Sequence, residues 1–273
     1  VQAVDSGSMK RYPLCELADK PWFSVTFRNL MTDILQYVVV RFRIYERIVP
    51  LIKQVLHSTK STQIIDLCSG SSGPWIKIQE QLGKQQESIF VTLTDKYPNR
   101  VAFMKTKECF SDKIQYLPEA VDALSVPIDL KGMRTIFSAF HHFEPDAAKK
   151  ILQDTVNQRE AIGIFEFTER HLDTLIFCFL LPPFIFFGTL FMRPISFKRI
   201  FWVNIIAIIP WVLAYDAFIS CFKTYSPEDL NELIKDINAP GYVWKIGRVA
   251  SKAGLMRITY LLGFPENPTV LLG

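Results

Sequence analysis

The run Ile64-Ile65-Asp66-Leu67-Cys68-Ser69-Gly70-Ser71-Ser72-Gly73-Pro74-Trp75 constrains the fold of this chain more than any other segment. Gln63–Leu67 reads as a buried strand. The small residues after it let the backbone turn sharply and approach a ligand closely. A helix over Pro74–Leu82, with Pro74 at its first position, would aim free backbone N–H groups and a positive dipole end at that turn. A strand, turn and helix of this kind suit a nucleotide-like ligand.

The same alternation continues along the chain. Ile89–Thr94, Ile114–Leu117, Thr135–Phe140 and Ala161–Phe167 read as strands, with helices over Asn99–Lys107 and from Pro145 to about Val156. Strands alternating with helices imply right-handed crossovers and a largely parallel sheet. Ser226–Asp236 reads as a helix, with Ser226 as N-cap, Pro227 next, and Glu228 and Asp229 in its first turn. Tyr242–Val249 and Arg257–Leu262, joined by a turn containing Gly254, predict an antiparallel pair. Upstream, apolar residues at Met31, Ile34, Leu35, Val38, Phe42, Tyr45, Ile48, Ile52 and Val55 have helical spacing, so 22–58 reads as helix, divided at Pro50.

The expected fold is therefore α/β: a doubly wound, mostly parallel seven-stranded sheet with a C-terminal antiparallel pair, an N-terminal helical cover and an apolar helical insert. Residues 9–60 form the cover, 61–171 and 223–273 the ligand-binding domain, and 172–222 the insert. Residues 1–8 read as an expression-tag remnant outside the fold.

Charge and cysteines narrow the function. Lys and Arg number 31 against 27 Asp and Glu, a net charge of +4, which gives no argument for a nucleic-acid partner. The five cysteines are scattered and odd in number, with no C-x-x-C, which speaks against a disulfide framework or a zinc site and for reduced cytosolic thiols. His141-His142-Phe143-Glu144-Pro145-Asp146 suggests a metal, but no second cluster in the sequence completes a site. No metal is therefore expected there, Asp146 being an ordinary first-turn acid.

Two ligand classes use a small-residue turn after the first strand. A dinucleotide fingerprint needs G-x-G-x-x-G, and here the first position is Cys68. The other is the S-adenosylmethionine loop. Ile64-Ile65-Asp66-Leu67-Cys68-Ser69-Gly70 resembles the first motif of the class I S-adenosylmethionine-dependent methyltransferases, with Cys68 and Ser72 where that family often has glycine. Asp95, after Thr92-Leu93-Thr94, resembles its ribose-binding acid. Leu117-Pro118-Glu119-Ala120-Val121-Asp122-Ala123 resembles its acidic loop, with Asp122 toward the adenine amino group. Ser138-Ala139-Phe140-His141-His142-Phe143 resembles its fourth-strand end, beside the reactive methyl. The final antiparallel pair is also typical of the family.

The resemblance implies an S-adenosylmethionine site of Asp66, Cys68, Ser69, Gly70, Ser71, Gly73, Asp95, Lys96, Glu119, Asp122 and Phe140. His141 and His142 are the candidate general bases, since histidine titrates near neutrality; the alternative is that they only bond the backbone and line the pocket. Glu166, its end-of-strand neighbour Glu169, and Trp75 are candidates for holding the acceptor.

The insert breaks the pattern. Residues 172–222 hold only five charged residues (Asp173, Arg193, Lys198, Arg199 and Asp216) and ten of the 22 Phe. Thr174–Met192 is uncharged over 19 residues, near the short limit of about 20 for a membrane span. Pro182, Pro183 and Pro210 are expected to interrupt its two apolar stretches. The basic connector around Arg193, Lys198 and Arg199 opposes a spanning hairpin. A shallow interfacial hairpin fits better, with Phe184, Phe187, Trp202 and Trp211 in lipid and Arg193, Lys198 and Arg199 at headgroups. An internal lid or a homodimer surface is the alternative.

The sequence thus predicts methyl transfer to a lipophilic, membrane-associated acceptor such as a lipid or quinone-like molecule. An inactive membrane-docked scaffold of the same fold is the alternative, and nicotinamide-dependent oxidoreduction a third reading. The expected location is cytoplasmic and peripheral on a membrane, or integral through 174–222.

Overall fold

The computed structural model describes residues 12, 14–85, 88–110, 112–252, 254 and 256–266. Residues 1–8 lie outside the described residues. Seven strands form one sheet: β1 (Gln63–Leu67), β2 (Phe90–Leu93), β3 (Ile114–Tyr116), β4 (Met133–Phe137), β5 (Ile162–Glu166), β6 (Tyr242–Ala250) and β7 (Arg257–Pro265). Their spatial order is β3-β2-β1-β4-β5-β7-β6. The first five are parallel, and β7 runs antiparallel to both β5 and β6. The order reverses between β1 and β4, so a crevice opens beyond their carboxyl ends.

Alternate residues of each strand serve opposite faces. Ile64, Val91 and Phe165 face one core, shared with Ile34, Ile52, Trp75, Leu181 and Leu213. Ile65, Ile136 and Ile164 face the other, shared with Ile151, Leu152, Leu230 and Leu233. Each fully buried Ile or Leu contributes roughly 1.5–3 kcal/mol. Helices α3 (Trp75–Lys84), α4 (Arg100–Cys109) and α5 (Pro145–Asn157) are the crossovers, and α9 (Pro227–Lys235) leads to the antiparallel pair. Ser226 and Asp229 cap α9 reciprocally, as its sequence start suggested.

The N-terminal helix divides at a different place from the one predicted. Helix α1 (Val25–Arg41) ends before Arg43, whose φ of 53° is left-handed. Helix α2 (Val49–Thr59) begins before Pro50, which sits in its first turn, where a missing N–H breaks no bond. The turn between them buries Ile44 and Tyr45 at 0% and 2% exposure. Packing of those two side chains, not proline, sets the break.

Prolines also fail to interrupt the insert. Helix α6 (Leu172–Gly188) runs through Pro182 and Pro183, and Pro210 falls in the first turn of α8 (Ile208–Lys223). The break comes instead where α7 (Phe197–Arg199) continues as a π-helical turn, Ile200–Ile205, and Ala207 adopts a φ of 56°. Among the described residues one helix, Leu172–Phe191, is long and apolar enough to cross a membrane, with mean hydropathy 2.1; the pair Phe197–Ile205 and Ile208–Lys223 reaches that length only with a 74° bend. One face of the insert docks on the protein itself: Phe184 meets Phe42 at 5.0 Å between ring centroids, and Trp202 meets Phe27 at 4.8 Å. The other face is open, with Phe179, Phe191 and Phe197 at 81%, 75% and 88% exposure.

The antiparallel pair depends on a missing side chain. A Cβ on Gly263 of β7 would lie 2.2 Å from the ring of Trp244 on β6. Gly263→Ala is expected to displace that ring and to lower stability by about 1–3 kcal/mol, read as a lower denaturant midpoint at unchanged slope. An unchanged midpoint would mean that the ring relaxes freely.

Candidate functional site

The turn after β1 is held by a buried carboxylate. Asp66, 1% exposed, accepts the Ser69 hydroxyl at 2.6 Å and the Thr135 hydroxyl of β4 at 2.7 Å. Its backbone oxygen takes the Thr94 N–H at 2.9 Å, and the Ser69 N–H returns to Thr94 O at 2.9 Å. Burial pushes Asp66 up to about 7, against the lowering effect of Ser69, Thr135 and the Trp75 indole. The loop is thereby tied to β2 on one side and β4 on the other, across the strand-order reversal.

The loop backbone follows directly. Cys68, Gly70, Ser72 and Gly73 have φ of 55°, 56°, 76° and 46°. Cys68 and Ser72 thus adopt the left-handed backbone that glycine adopts freely, at roughly 1–2 kcal/mol each. The substitutions in the sequence motif leave the shape of the loop intact and add strain to it. Helix α3 starts immediately after it, with Pro74 as its N-cap rather than its first residue.

Asp95, at the end of β2, turns into this loop. One carboxylate oxygen accepts the Gly70 N–H at 2.8 Å and the other the Tyr97 N–H at 2.8 Å. Each oxygen keeps a further lone pair for a ligand hydroxyl. Beside it, Lys96 and Asp122 form a half-exposed pair at 2.8 Å, and the Lys96 ammonium holds Asp122 below the usual carboxylate range. Asp95 O accepts the Val121 N–H at 2.9 Å, which fixes the acidic loop against the end of β2. Glu119, on the same loop, is exposed.

The N-terminal cover lies directly on the loop. Ser71 donates to Asp33 of α1 at 2.6 Å and lies 2.8 Å from the Thr32 hydroxyl. Asn99, before α4, donates to Ser71 at 2.9 Å and to Asp33 at 3.2 Å. Burial raises Asp33 despite those donors. Thr32, Asp33 and Asn99 carry no motif signal in the sequence. Asn99 reads in the sequence only as the first residue of a helix, and it caps that helix, accepting the Ala102 N–H at 3.3 Å.

At the end of β4, Ser138 turns left-handed (φ 44°) and stops the strand short of its predicted end. Tyr45 meets its hydroxyl at 2.6 Å. The helical turn Phe140–His142 follows. His141 Nδ1 donates to Glu166 Oε2 at 2.8 Å, and Glu166 Oε1 accepts the Phe140 N–H at 2.7 Å. The N-terminal segment closes over the two histidines. Glu16 Oε1 lies 3.7 Å from His141 Nε2, and Glu16 Oε2 3.5 Å from His142 Nδ1. Asp19 lies 2.9 Å from His142 Nδ1. Lys223, 3% exposed at the end of α8, reaches Glu16 at 3.1 Å and Asp19 at 3.3 Å. Burial opposes ionisation of Asp19, but His142 and Lys223 outweigh it and hold Asp19 down to about 2; Glu16 and Asp19 in turn outweigh the burial of His142 and raise it.

Several predicted residues are brought together: Asp66, Cys68, Ser69, Gly70, Ser71, Gly73 and Asp95 share one loop cluster. Others sit differently. Phe140 is fully buried against Phe143 and Tyr225, so its ring is core. Trp75 is fully buried, edge-on to Phe137. Glu166 is committed to His141 and Phe140, and Glu169 to Arg248 and Thr259. Neither acid faces open space. Arg199 is buried and donates to Met192 O at 2.7 Å and Pro194 O at 2.9 Å, so it staples the connector, whereas Arg193 and Lys198 are exposed. Beside His141 and His142 the fold places Glu16, from a segment with no periodicity to mark it.

Ser72 offers a direct test of the loop. It is fully buried, left-handed, and its hydroxyl has no hydrogen-bond partner among the described residues. Ser72→Gly removes both costs and is expected to stabilise the chain by about 1 kcal/mol, raising Tm by roughly 2–4 °C. A lower Tm would contradict the strained-loop geometry.

No family model and no curated protein matches the chain. Solved structures resemble it at a distance. The magnesium protoporphyrin IX methyltransferase of Synechocystis PCC 6803, solved with bound SAH, is 11% identical, with a TM-score of 0.44 over 80% of this chain and 83% of that one. An O-methyltransferase family protein from Burkholderia thailandensis is 11% identical, with a TM-score of 0.46 over 87% of this chain and 60% of its own. A Rhodobacter sphaeroides protein provisionally described as a Zn-dependent alcohol dehydrogenase is 14% identical, with a TM-score of 0.48 over 87% and 98%. These likenesses are too remote to speak for any activity. The chain's own strand order puts β7 antiparallel beside β5 and the small-residue turn at the reversal point, the arrangement expected from the sequence resemblance.

Proposed function

We propose that this chain transfers the methyl group of S-adenosylmethionine to a lipophilic acceptor held at a membrane surface. The observation that carries the reading is Asp95. Its carboxylate sits on the Gly70 N–H at 2.8 Å, at the carboxyl end of β2 beside the loop after β1. That position suits the two hydroxyls of a nucleoside ribose, and the α3 N-terminus faces the same loop. Lys96 and Asp122 border the place for the base. The bound S-adenosylmethionine supplies an electrophilic methyl carbon and leaves as the thioether.

The chain's own residues contribute alignment and exclusion of water, which suffice for an in-line displacement. The cover packs Thr32 and Asp33 on the loop, and Glu16 and Asp19 on the histidine turn. His141 and His142 occupy the acceptor end. A proton acceptor is needed there only for a hydroxyl or carbon acid. The left-handed Cys68 and Ser72 favour the second reading, a binding protein of the same fold without turnover, because they strain the loop that must hold the ligand.

The surface of the insert supports a lipophilic acceptor. Phe179, Phe191, Phe197 and Trp211 are 67% exposed or more, with Arg193 and Lys198 beside them. Exposed aromatic side chains on the same insert as two exposed basic residues suit an anionic membrane surface on the cytoplasmic side. A cavity of about 710 Å³ lies away from the crevice, between α1 and α6, lined by Tyr37, Phe42, Phe184, Phe187 and Phe191, with Arg41 among them. It matches the bulk of an apolar ligand with one anionic group. The same patch would serve a homodimer.

Two measurements test this. Labelled methyl from S-adenosylmethionine, supplied with a total lipid extract, should appear in an organic-soluble product. The protein should also float with anionic liposomes, and Phe191→Ser with Phe197→Ser should reduce that flotation. Label confined to water-soluble products, with the protein left in the soluble fraction, would contradict the proposal.

A further inference from the structure

The polar cluster under the N-terminal segment contains more than methyl transfer requires. Glu16, His141 and His142 each present one ligand atom, all within 4.8 Å of one another. Glu16 lies 3.7 Å from His141 Nε2 and 3.5 Å from His142 Nδ1. Ligands of a tetrahedral zinc-type ion, each about 2.0–2.2 Å from it, stand about 3.3–3.6 Å apart. The Glu16–His141 and Glu16–His142 separations are within a few tenths of an ångström of that spacing.

We propose that Glu16, His141 and His142, with Asp19 as fourth donor, bind one divalent transition-metal ion of the zinc type, which clasps the N-terminal cover to the turn after β4. Three independent features point there. First, His141 donates its Nδ1 proton to Glu166 at 2.8 Å, and Glu166 is itself fixed by the Phe140 N–H. A carboxylate behind a histidine leaves Nε2 as the ligating nitrogen and sets the ring's direction. Second, Asp19 stands 2.9 Å from His142 Nδ1, so an oxygen is already placed beside the second nitrogen donor. Third, carboxylates outnumber cations around the cluster. Glu16, Asp19 and Glu166 contact it directly, and Asp216 on α8 binds the Leu17 and Ala18 N–H groups at 2.8 and 3.0 Å. Lys223 is the one lysine or arginine at ion-pair distance from Glu16 or Asp19 among the described residues.

Lys223 defines the exchange. Its ammonium balances Glu16 and Asp19 in the metal-free chain, and its flexible stem lets it swing aside when the ion enters. Two imidazole nitrogens with carboxylate oxygens select zinc-type ions over Mg2+ or Ca2+. The ligands come from residues 16–19 and 141–142, so the ion ties two distant parts of the chain together. This goes beyond the methyl-transfer reading and stands or falls without it.

The test is calorimetric titration of the full, chelator-stripped chain with Zn2+, alongside Co2+ absorption spectra. Expected are one ion per chain, a Co2+ spectrum without a thiolate charge-transfer band, and a higher Tm with Zn2+ than with Mg2+. Glu16→Gln and His142→Ala should each weaken Zn2+ binding at least ~10-fold, and Glu166→Gln about 10–100-fold. Lys223→Met, which removes the competing ammonium, should strengthen it, a gain that loss of folding cannot imitate. No saturable binding, a thiolate band, or affinity unchanged in Glu16→Gln and His142→Ala would overturn the site.

Discussion

A carboxylate with almost no access to water holds this structure's working end together. Asp66 closes the last turn of β1, and its two oxygens reach the loop through Ser69 and the next strand through Thr135. Its backbone oxygen takes Thr94 from β2. An unpaired acid in that position would cost several kcal/mol; two hydroxyl donors make it tolerable. The loop after β1 is therefore fixed to β2 and β4, and Asp95, at the end of β2, is anchored on it through Gly70.

The N-terminal cover and the insert are built onto this frame from opposite directions. Helix α1 presses Thr32 and Asp33 onto Ser71, while the preceding segment delivers Glu16 and Asp19 to the histidine turn. Helix α8 brings Lys223 to the same two acids and Asp216 to the backbone of Leu17 and Ala18. One polar network thus joins the cover, the sheet and the apolar insert.

The sheet was legible in the sequence because buried parallel strands read as short apolar runs bounded by polar turns, as at Gln63–Leu67 and Ile162–Glu166. The loop was legible because small residues cluster there. Its strain was not, because a left-handed Cys68 or Ser72 looks in sequence like any other small residue. The helix break at Arg43 was missed for the same reason: no glycine marks it, and Pro50 drew the boundary downstream. Phe140 sits next to the right position, but the reversal at Ser138 turns its ring into the core. Arg199 was read by charge alone, and the geometry uses it to tie down two carbonyls. Glu16 and Asp19 lie in an irregular segment, where no periodicity predicts contact with residues more than 100 positions away.

The central claim is that the turn after β1, with Asp95 anchored in it, is a cradle for a sulfonium-bearing nucleoside. Titration of the full chain with S-adenosylhomocysteine, beside Asp95→Ala, tests it most directly. One ligand should bind per chain. The substitution should weaken it more than tenfold, the loss expected for hydrogen bonds to a charged group worth about 1.5–3 kcal/mol, with secondary structure unchanged by circular dichroism. No binding by the unaltered chain, or equal binding by both, would contradict the account.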